Sequence, residues 1–253
     1  MIKNHEKRQN IRKFMVISTF LLFPIIIFYF SPYLIILGAL EGIASGSVVM
    51  FSLQFLFSLF FGRSLCGYIC PLGGLQECLM LVNNKQVKNG KINLLKFCFW
   101  VPWLISIIVI FSYGGGIKKL DFFFHTKYGV SLYEPITYMI YYGVIILVVT
   151  LSVNIGKRAF CHYVCWMSPF MILGTKLSRK LKFPLLHLKT DKTKCSKCGV
   201  CNTKCPMSLN VQKLVEDEKM NNPECILCGE CINICKKDVI KYSWKMKILT
   251  ISK

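Results

Sequence analysis

The chain has 253 residues, of which 54% are hydrophobic, and a formal net charge of +20. A disordered chain cannot carry so much apolar content, and a soluble globular chain seldom does. The apolar residues must therefore lie in long runs with the charge elsewhere, which is the organisation of a membrane protein. Fourteen cysteines in so long and apolar a chain do not suggest a secreted disulfide scaffold, so their spacing has to decide their role.

Four uncharged stretches predict transmembrane helices. They are residues 14–30, 43–61, 97–113 and 136–155. A hydrocarbon core of about 30 Å needs roughly 20 helical residues, with a lower limit of about 17, and all four stretches satisfy it.

Lysine and arginine residues fall almost entirely on one side of these stretches. If both chain termini are cytoplasmic, 29 of the 32 basic residues lie on the cytoplasmic side. The other three, between the third and fourth stretches, are Lys118, Lys119 and Lys127. The sequence therefore predicts a multi-pass protein of the cell membrane with cytoplasmic N- and C-termini. Because charge at these helix ends faces anionic lipid, the net charge of +20 requires no nucleic-acid partner.

A short cysteine motif occurs twice, each time after the second helix of a predicted helical hairpin. The two copies repeat Arg, Cys, Tyr and Cys at an offset of 95 residues and read Arg63-x-x-Cys66-Gly-Tyr-x-Cys70 and Arg158-x-x-Cys161-His-Tyr-x-Cys165. Residues 63–70 are called here the first membrane motif and residues 158–165 the second. The membrane part is thus predicted to be an all-α domain of four transmembrane helices arranged as two repeated hairpins.

The last quarter of the chain carries the pattern C-x2-C-x2-C-x3-C twice. In this pattern three cysteines bind one cubane cluster, and the fourth binds the other cluster. The spacing predicts two [4Fe–4S] clusters. The first is expected on Cys195, Cys198, Cys201 and Cys235, and the second on Cys225, Cys228, Cys231 and Cys205.

A pair of zinc sites is the alternative interpretation of these cysteines. Zinc prefers two separated C-x2-C pairs around one ion, so a run of three cysteines at this spacing favours clusters. Gly199 and Gly229 lie inside the cysteine loops, where the backbone passes close to sulfide and positive φ is expected. Over about 50 residues this region resembles the bacterial two-cluster ferredoxins, which implies a small α+β domain, and residues 211–220 are read as its short helix.

The cysteines of the membrane motifs are candidate metal ligands. In each motif the two cysteines are four residues apart, which places both sulfurs on one face of a helix. The two copies together offer four thiols, namely Cys66, Cys70, Cys161 and Cys165. Packing as small hydrophobic residues is the alternative. Arg63 and Arg158 either stabilise a nearby anion or serve only as basic flanks, and His162 is either a proton relay or an interfacial histidine.

Nearly the whole chain resembles the NapH/NosR-type family of membrane-bound, polyferredoxin-like 4Fe–4S proteins. The resemblance rests on Arg63-x-x-Cys66-Gly-Tyr-x-Cys70-Pro71-x-Gly73, on its second copy and on the two-cluster domain. It implies electron transfer between the quinone pool and iron–sulfur carriers. The second copy departs from the family pattern, because its proline, Pro169, comes four residues after Cys165.

The predicted organisation has five parts. They are a basic N-terminus (1–13), a four-helix membrane domain (14–175), a linker (176–188), a two-cluster ferredoxin-type domain (189–244) and a basic tail (245–253). No histidine lies within a predicted span, so no bis-histidine haem is expected there. The predicted redox groups all lie on the cytoplasmic side.

The sequence favours an electron-transfer protein that connects the quinone pool, or another membrane redox subunit, to a cytoplasmic ferredoxin or flavodoxin-like carrier. Lysines around the clusters would steer such an acidic carrier. Two other functions stay open. One is a metal-handling protein whose thiolates bind and reduce copper, and the other is a redox-sensing regulatory or assembly subunit.

Overall fold

The computed structural model describes residues 2–88, 90–113 and 116–244, so the predicted basic tail lies outside the described residues. The fold is mostly helical. The α-helices are α1 (Ile2–Leu21), α2 (Phe23–Ile26), α3 (Pro32–Glu41), α4 (Gly46–Phe61), α5 (Ser64–Tyr68), α6 (Pro71–Leu79), α7 (Leu95–Tyr113), α8 (Pro135–Asn154), α9 (Ala159–Tyr163), α10 (Ser168–Lys180), α11 (Val200–Lys204), α12 (Val211–Glu216) and α13 (Glu230–Ile234). The strands are β1 (Ile43–Ser45), β2 (Lys119–Asp121), β3 (His187–Thr190) and β4 (Ile240–Ser243).

Two of the described helices are long and apolar enough to cross a membrane. One is α7 with the 3-10 turn before it, spanning Ile92–Tyr113, and the other is α8. They coincide with the third and fourth predicted spans. The sequence therefore predicted these two helices correctly.

The first predicted span, residues 14–30, is broken rather than straight. The segment Phe23–Phe30 continues from α1 at an angle of 58°. Pro24 lies at the start of α2, where its ring and missing N–H prevent the preceding helix from continuing unbroken. Counted as one bent span, this segment would be a third crossing.

The second predicted span, residues 43–61, is not a single helix. Gly42 ends α3 in the left-handed conformation, with φ +70°, and the next three residues form β1. This strand pairs in parallel with β2, with Ile43 opposite Lys119. The helix α4 that follows has 16 residues. The prediction of helix at 43–45 is therefore wrong, because strand pairing satisfies this backbone instead.

The sequence repeat is also a structural repeat. The helices α5 and α9, each of five residues, are related by the same offset of 95 as the motifs that contain them. Proline lies in the first turn of the next helix in both copies, with Pro71 as the first residue of α6 and Pro169 as the second residue of α10. The later proline thus shifts the start of α10 without removing the helix.

The ferredoxin-type unit contains a second repeat. The helices α11 and α13 are related by an offset of 30, and each follows a glycine with positive φ, 71° at Gly199 and 75° at Gly229. Both backbone predictions are confirmed. The unit is closed by β3 and β4, which pair antiparallel, and β3 begins two residues before the predicted boundary at 189. The predicted linker is partly structured, because α10 continues to Lys180.

The membrane motifs and the ferredoxin-type unit share one buried core. Cys66, Cys161 and Met171 belong to the same apolar cluster as Cys228 and Ile232. The N-terminal helix joins this contact, because Gln9 Nε2 donates a 2.9 Å hydrogen bond to the carbonyl oxygen of Cys228. The basic N-terminus is therefore packed against the C-terminal unit.

Glycine allows a close contact between two helices of the membrane part. A Cβ at Gly74 of α6 would collide with the carbonyl oxygen of Val16 in α1. We expect Gly74→Ala to destabilise the protein by about 1–3 kcal/mol, because the two helices must move apart. A lower midpoint of thermal unfolding in detergent would measure this.

Gly143→Ala in α8 is the matched control, because its added Cβ meets no heavy atom of the described residues within 4 Å. It should leave the midpoint unchanged or raise it slightly, since alanine favours helix over glycine. Equal midpoints for the two variants would contradict the close contact between α1 and α6.

Candidate functional site

The first predicted cluster set lies around an open cavity of about 380 Å³. Its four cysteines, Cys195, Cys198, Cys201 and Cys235, all line this cavity. Cys198 is exposed to solvent and the other three are partly buried. This cavity is the more accessible of the two in the ferredoxin-type unit.

The second predicted set lies deeper. The four cysteines Cys205, Cys225, Cys228 and Cys231 line a smaller cavity whose other walls are mostly apolar. Burial raises the pKa of Cys228 to about 12 and that of Cys205 to about 11. These thiols are therefore expected to lose their protons only when a cation binds the sulfur, as iron in a cluster does.

The donor chemistry of both cavities fits iron–sulfur clusters. Each is lined by four thiols and by no carboxylate or imidazole among the described residues. Across the described part of the chain, no three His, Cys, Asp or Glu side chains are gathered closely enough to hold a single metal ion. All-thiolate ligation of this kind suits an iron–sulfur cluster.

A third cavity, of about 80 Å³, joins the two membrane motifs. It is lined by all four motif cysteines, Cys66, Cys70, Cys161 and Cys165. The Sγ atom of Cys66 lies 3.4 Å from the Sδ atom of Met171. The structure thus brings together the four thiols that the repeat offered, although they are 95 residues apart in sequence. We call this the motif cavity.

Comparison with known families agrees with this distribution of cysteines. A 4Fe–4S binding domain family matches residues 44–89 and 136–184, and a 4Fe–4S dicluster domain family matches residues 187–236. Each membrane motif therefore lies inside one copy of the first domain. No solved structure matches the chain.

Three relatives cover most of the chain. The uncharacterized protein MJ0750 of Methanocaldococcus jannaschii is 30% identical over 96% of this chain and 98% of its own length. The putative electron transport protein YccM of Escherichia coli is 23% identical over 80% of this chain and 57% of its own length. The ferredoxin-type protein NapH of Haemophilus influenzae is 21% identical over 81% of this chain and 69% of its own length.

The chain belongs to the NapH/NosR-type family of polyferredoxin-like 4Fe–4S proteins. It is an iron–sulfur electron-transfer protein related to NapH and YccM. Its two long apolar helices accord with association with a membrane.

Buried ion pairs hold the parts of this NapH/NosR-type chain together, and sequence analysis missed their acidic members. Glu77 binds Nη2 of Arg12 at 2.6 Å and Nη2 of Arg158 at 2.8 Å. Arg12 also binds Glu230, next to the second cluster set, at 2.9 Å. Arg158 is thus a buried structural partner and not a basic flank. The signal in the sequence that pointed to these acidic partners was the scarcity of acidic residues, 12 against 32 basic residues.

A second buried group lies beside the motif cavity. Glu224 accepts from Nη1 of Arg63 at 2.5 Å and from Nζ of Lys96 at 2.7 Å. The Arg63 side chain is only 1% exposed and lines the motif cavity. Glu224 directly precedes Cys225, so this group ties the second cluster set to the first membrane motif.

His162 is a buried histidine rather than an interfacial one. Its side chain is fully buried, and burial lowers its pKa to about 4. It is therefore neutral at physiological pH, as a packed core residue.

The stability of the fold should depend on Glu77. Burial alone would raise its pKa, but the charges of Arg158 and Arg12 outweigh burial and hold the pKa at about 2. We expect Glu77→Gln to cost about 3–5 kcal/mol, because it leaves the buried guanidinium of Arg158 without a carboxylate and that of Arg12 with Glu230 alone. The midpoint of thermal unfolding in detergent should fall accordingly.

The pH dependence of this effect has a definite sign. Because the pKa of Glu77 is depressed in the folded state, its contribution is complete above pH 4.5 and is lost as the pH falls towards 2. The difference in the midpoint of thermal unfolding between wild type and Glu77→Gln should therefore become smaller over that pH range. Glu218→Gln is the control, because Glu218 is 54% exposed and should change stability by less than about 1 kcal/mol. A gap that stayed constant down to pH 2 would be inconsistent with a charged Glu77.

Proposed function

We propose that this protein is anchored in the cell membrane and passes electrons between the quinone pool, or a membrane redox partner, and a soluble carrier in the cytoplasm. The observation that supports this most is the pair of four-thiol cavities at different depths of one unit. One opens to solvent, and the other is packed against the membrane motifs. Such an arrangement suits electron exchange with a soluble partner at one end and a membrane partner at the other.

The ligands proposed for the first [4Fe–4S] cluster are Cys195, Cys198, Cys201 and Cys235. Those proposed for the second are Cys225, Cys228, Cys231 and Cys205. Each cluster, when bound, exchanges one electron. The protein supplies the thiolates and, around the second cluster, an apolar wall that includes Leu188, Met207 and Ile226. These walls exclude water from the deeper cluster.

The proposed topology has four crossings with both termini in the cytoplasm. The 16 residues of α4 rise about 24 Å, and the three-residue strand β1 adds about 10 Å. Together they match a hydrocarbon core of about 30 Å. The pairing of β1 with β2 satisfies backbone groups that lipid could not.

The soluble carrier is proposed to dock beside Cys198. Six exposed lysines surround the cysteine loops of this unit: Lys192, Lys194, Lys197, Lys204, Lys236 and Lys237. Two of them, Lys236 and Lys237, line the open cavity itself. This charge favours an acidic carrier such as a ferredoxin or flavodoxin.

The quinone is proposed to bind in an apolar cavity of about 360 Å³ between α1, the first membrane motif and the ferredoxin-type unit. Met15, Phe57 and Leu227 line it together with the hydroxyl-bearing rings of Tyr68 and Tyr242. The two tyrosine oxygens lie 3.5 Å apart. Because the hydroxyl of Tyr242 donates to the carbonyl oxygen of Leu227 at 2.7 Å, the hydroxyl of Tyr68 is the one that can donate to a quinone oxygen. Leu227 is the neighbour of Cys228, so a ring held there lies beside the second cluster set.

Copper handling is the second candidate function. It is supported by the thioether of Met171 beside the thiol of Cys66, because Cu(I) binds soft sulfur ligands. This function would use the motif cavity rather than the ferredoxin-type unit.

The proposed function is tested by reducing the purified protein with dithionite, removing the reductant and adding a short-chain quinone without oxygen. Two one-electron clusters should be reoxidised per quinone, which takes up two protons to become hydroquinone. Met15→Trp fills the proposed quinone cavity and should slow reoxidation by about tenfold, equivalent to about 1.4 kcal/mol. The EPR signal of the reduced clusters provides the measurement.

Met139→Trp is the control, because Met139 is 70% exposed on α8 and lies outside the lining of that cavity. It should reoxidise at the wild-type rate. Reduced wild-type clusters that quinone left unchanged would overturn the quinone assignment.

Electron exchange with a small acidic ferredoxin should slow steeply as salt is added, because counterions screen the lysines around Cys198. Lys236→Glu with Lys237→Glu should reduce the low-salt rate and flatten its salt dependence. Stopped-flow absorbance would measure both.

The matched control is Lys118→Glu with Lys127→Glu, which makes the same charge change at exposed lysines on the proposed outer side. The rates of electron exchange of this double variant should equal those of the wild type. A wild-type rate that does not vary with salt would rule out electrostatic steering.

A further inference from the structure

We propose that Cys66, Cys70, Cys161 and Cys165 together hold a third iron–sulfur cluster, shared between the two membrane motifs. The inference deepens the proposed function and rests on it. Each of the two matched 4Fe–4S binding domain segments supplies only two of these cysteines. Because a cluster of this kind needs four thiolates, only the two motifs together provide a complete site.

The two motifs present their cysteines through the same backbone geometry. In the first motif, the N–H of Cys70 donates to the carbonyl oxygen of Leu65 at 2.9 Å. In the second, the N–H of Cys165 donates to the carbonyl oxygen of Phe160, also at 2.9 Å. Both bonds span five residues and turn the second cysteine back towards the first. The repeat thus builds two equivalent half-sites that face one cavity.

The motif cavity is lined largely by sulfur and apolar side chains. Cys66, Cys161 and Cys165 are each at most 6% exposed, and the remaining walls include the apolar side chains of Met167 and Met171. Of the residues that the structure describes, no carboxylate or imidazole lines it. A site of this kind selects a thiophilic group and excludes hard, oxygen-bound cations.

The excess positive charge beside the cavity favours the binding of an anion. Within the described ranges, Glu224 is the one carboxylate paired with Arg63 and Lys96, which leaves one positive charge in excess in this buried group. The Nε and Nη2 atoms of Arg63 have no hydrogen-bond partner in the described part of the chain, and Arg63 lines the motif cavity. A buried unpaired charge is costly. An iron–sulfur cluster with four thiolates is an anion and would compensate it.

The position of the cavity also suits a redox centre. Gly67 lies so close to the loop of the second cluster set that an added Cβ would lie 2.6 Å from the carbonyl oxygen of Ile226. Cys66 and Cys228 belong to the same buried core. The motif cavity is therefore the immediate neighbour of the deeper cysteine set, on its membrane side.

A cluster fits this site better than a single ion does. No three ligand side chains in the described residues converge closely enough for one metal ion, yet all four cysteines reach one cavity. Binding would replace four S–H bonds by four Fe–S bonds and release four protons. The bound cluster would then exchange one electron at a time with its neighbour.

The test is the iron and acid-labile sulfide content of protein purified from membranes without oxygen. Two [4Fe–4S] clusters account for about eight iron atoms per chain, and a third cluster raises this to about ten to twelve. Cys66→Ser with Cys161→Ser, which removes one thiol from each motif, should lose about two to four iron atoms and as many sulfides. Mössbauer and EPR signals of the ferredoxin-type clusters should persist.

Three further variants distinguish a specific loss of the third cluster from a loss of iron caused by misfolding. Cys78→Ser with Cys98→Ser removes two cysteines outside the motif cavity and should keep the wild-type iron content. Cys70→Ser alone, at a half-buried position, should repeat the loss seen in the double variant. Cys228→Ser should lose ferredoxin-type iron and keep the third signal.

The outcomes separate this inference from the proposed function. About eight iron atoms in the wild type, unchanged in the variants, would overturn the third cluster and leave the electron-transfer proposal standing. One copper per chain, lost in the double variant, would replace the cluster by a Cu(I) site. A wild-type protein without iron and sulfide would overturn both proposals.

Discussion

Glu77 and Glu224 are nearly buried carboxylates, and each binds two cations that come from distant parts of the chain. Glu77 joins the N-terminal helix to the second membrane motif through Arg12 and Arg158. Glu224 joins the first membrane motif and the start of α7 to the loop of the second cluster set. Removing one partner of a buried ion pair typically costs about 3–5 kcal/mol. These segments therefore cannot separate independently, and the positions of the cysteine cavities depend on them.

Because of these ion pairs, the ferredoxin-type unit is packed against the membrane motifs and is not a separate unit joined to them only by a linker. The cysteine loops pack against the first membrane motif and share a buried core with both motifs. The N-terminal helix hydrogen-bonds the backbone at Cys228 and Gly229. The three cysteine cavities accordingly follow one another from the exposed Cys198 to the buried thiols of the motif cavity. A packed series of this kind would keep the proposed redox groups at constant separation.

Several parts of the fold could be predicted because they depend on local chemistry. The helices α7 and α8 are uninterrupted apolar runs, so hydropathy alone locates them. The positive φ of Gly199 and Gly229 follows from their place inside tight cysteine loops. The first two spans were harder, because a proline at position 24 and a glycine at position 42 redirect the backbone within otherwise apolar sequence. Hydropathy averages over such single residues and therefore misses the bend and the strand β1.

The sequence by itself determined the family, the apolar anchor and the two cysteine patterns, because these depend on residue type and spacing along the chain. Only the tertiary structure decided that the two membrane motifs meet at one cavity, and that Arg12, Arg63 and Arg158 are buried partners rather than basic flanks. The physical reason is that an ion pair or a shared cavity is a relation between residues that are distant in sequence. Spacing along the chain carries no information about which carboxylate an arginine will find when the chain folds.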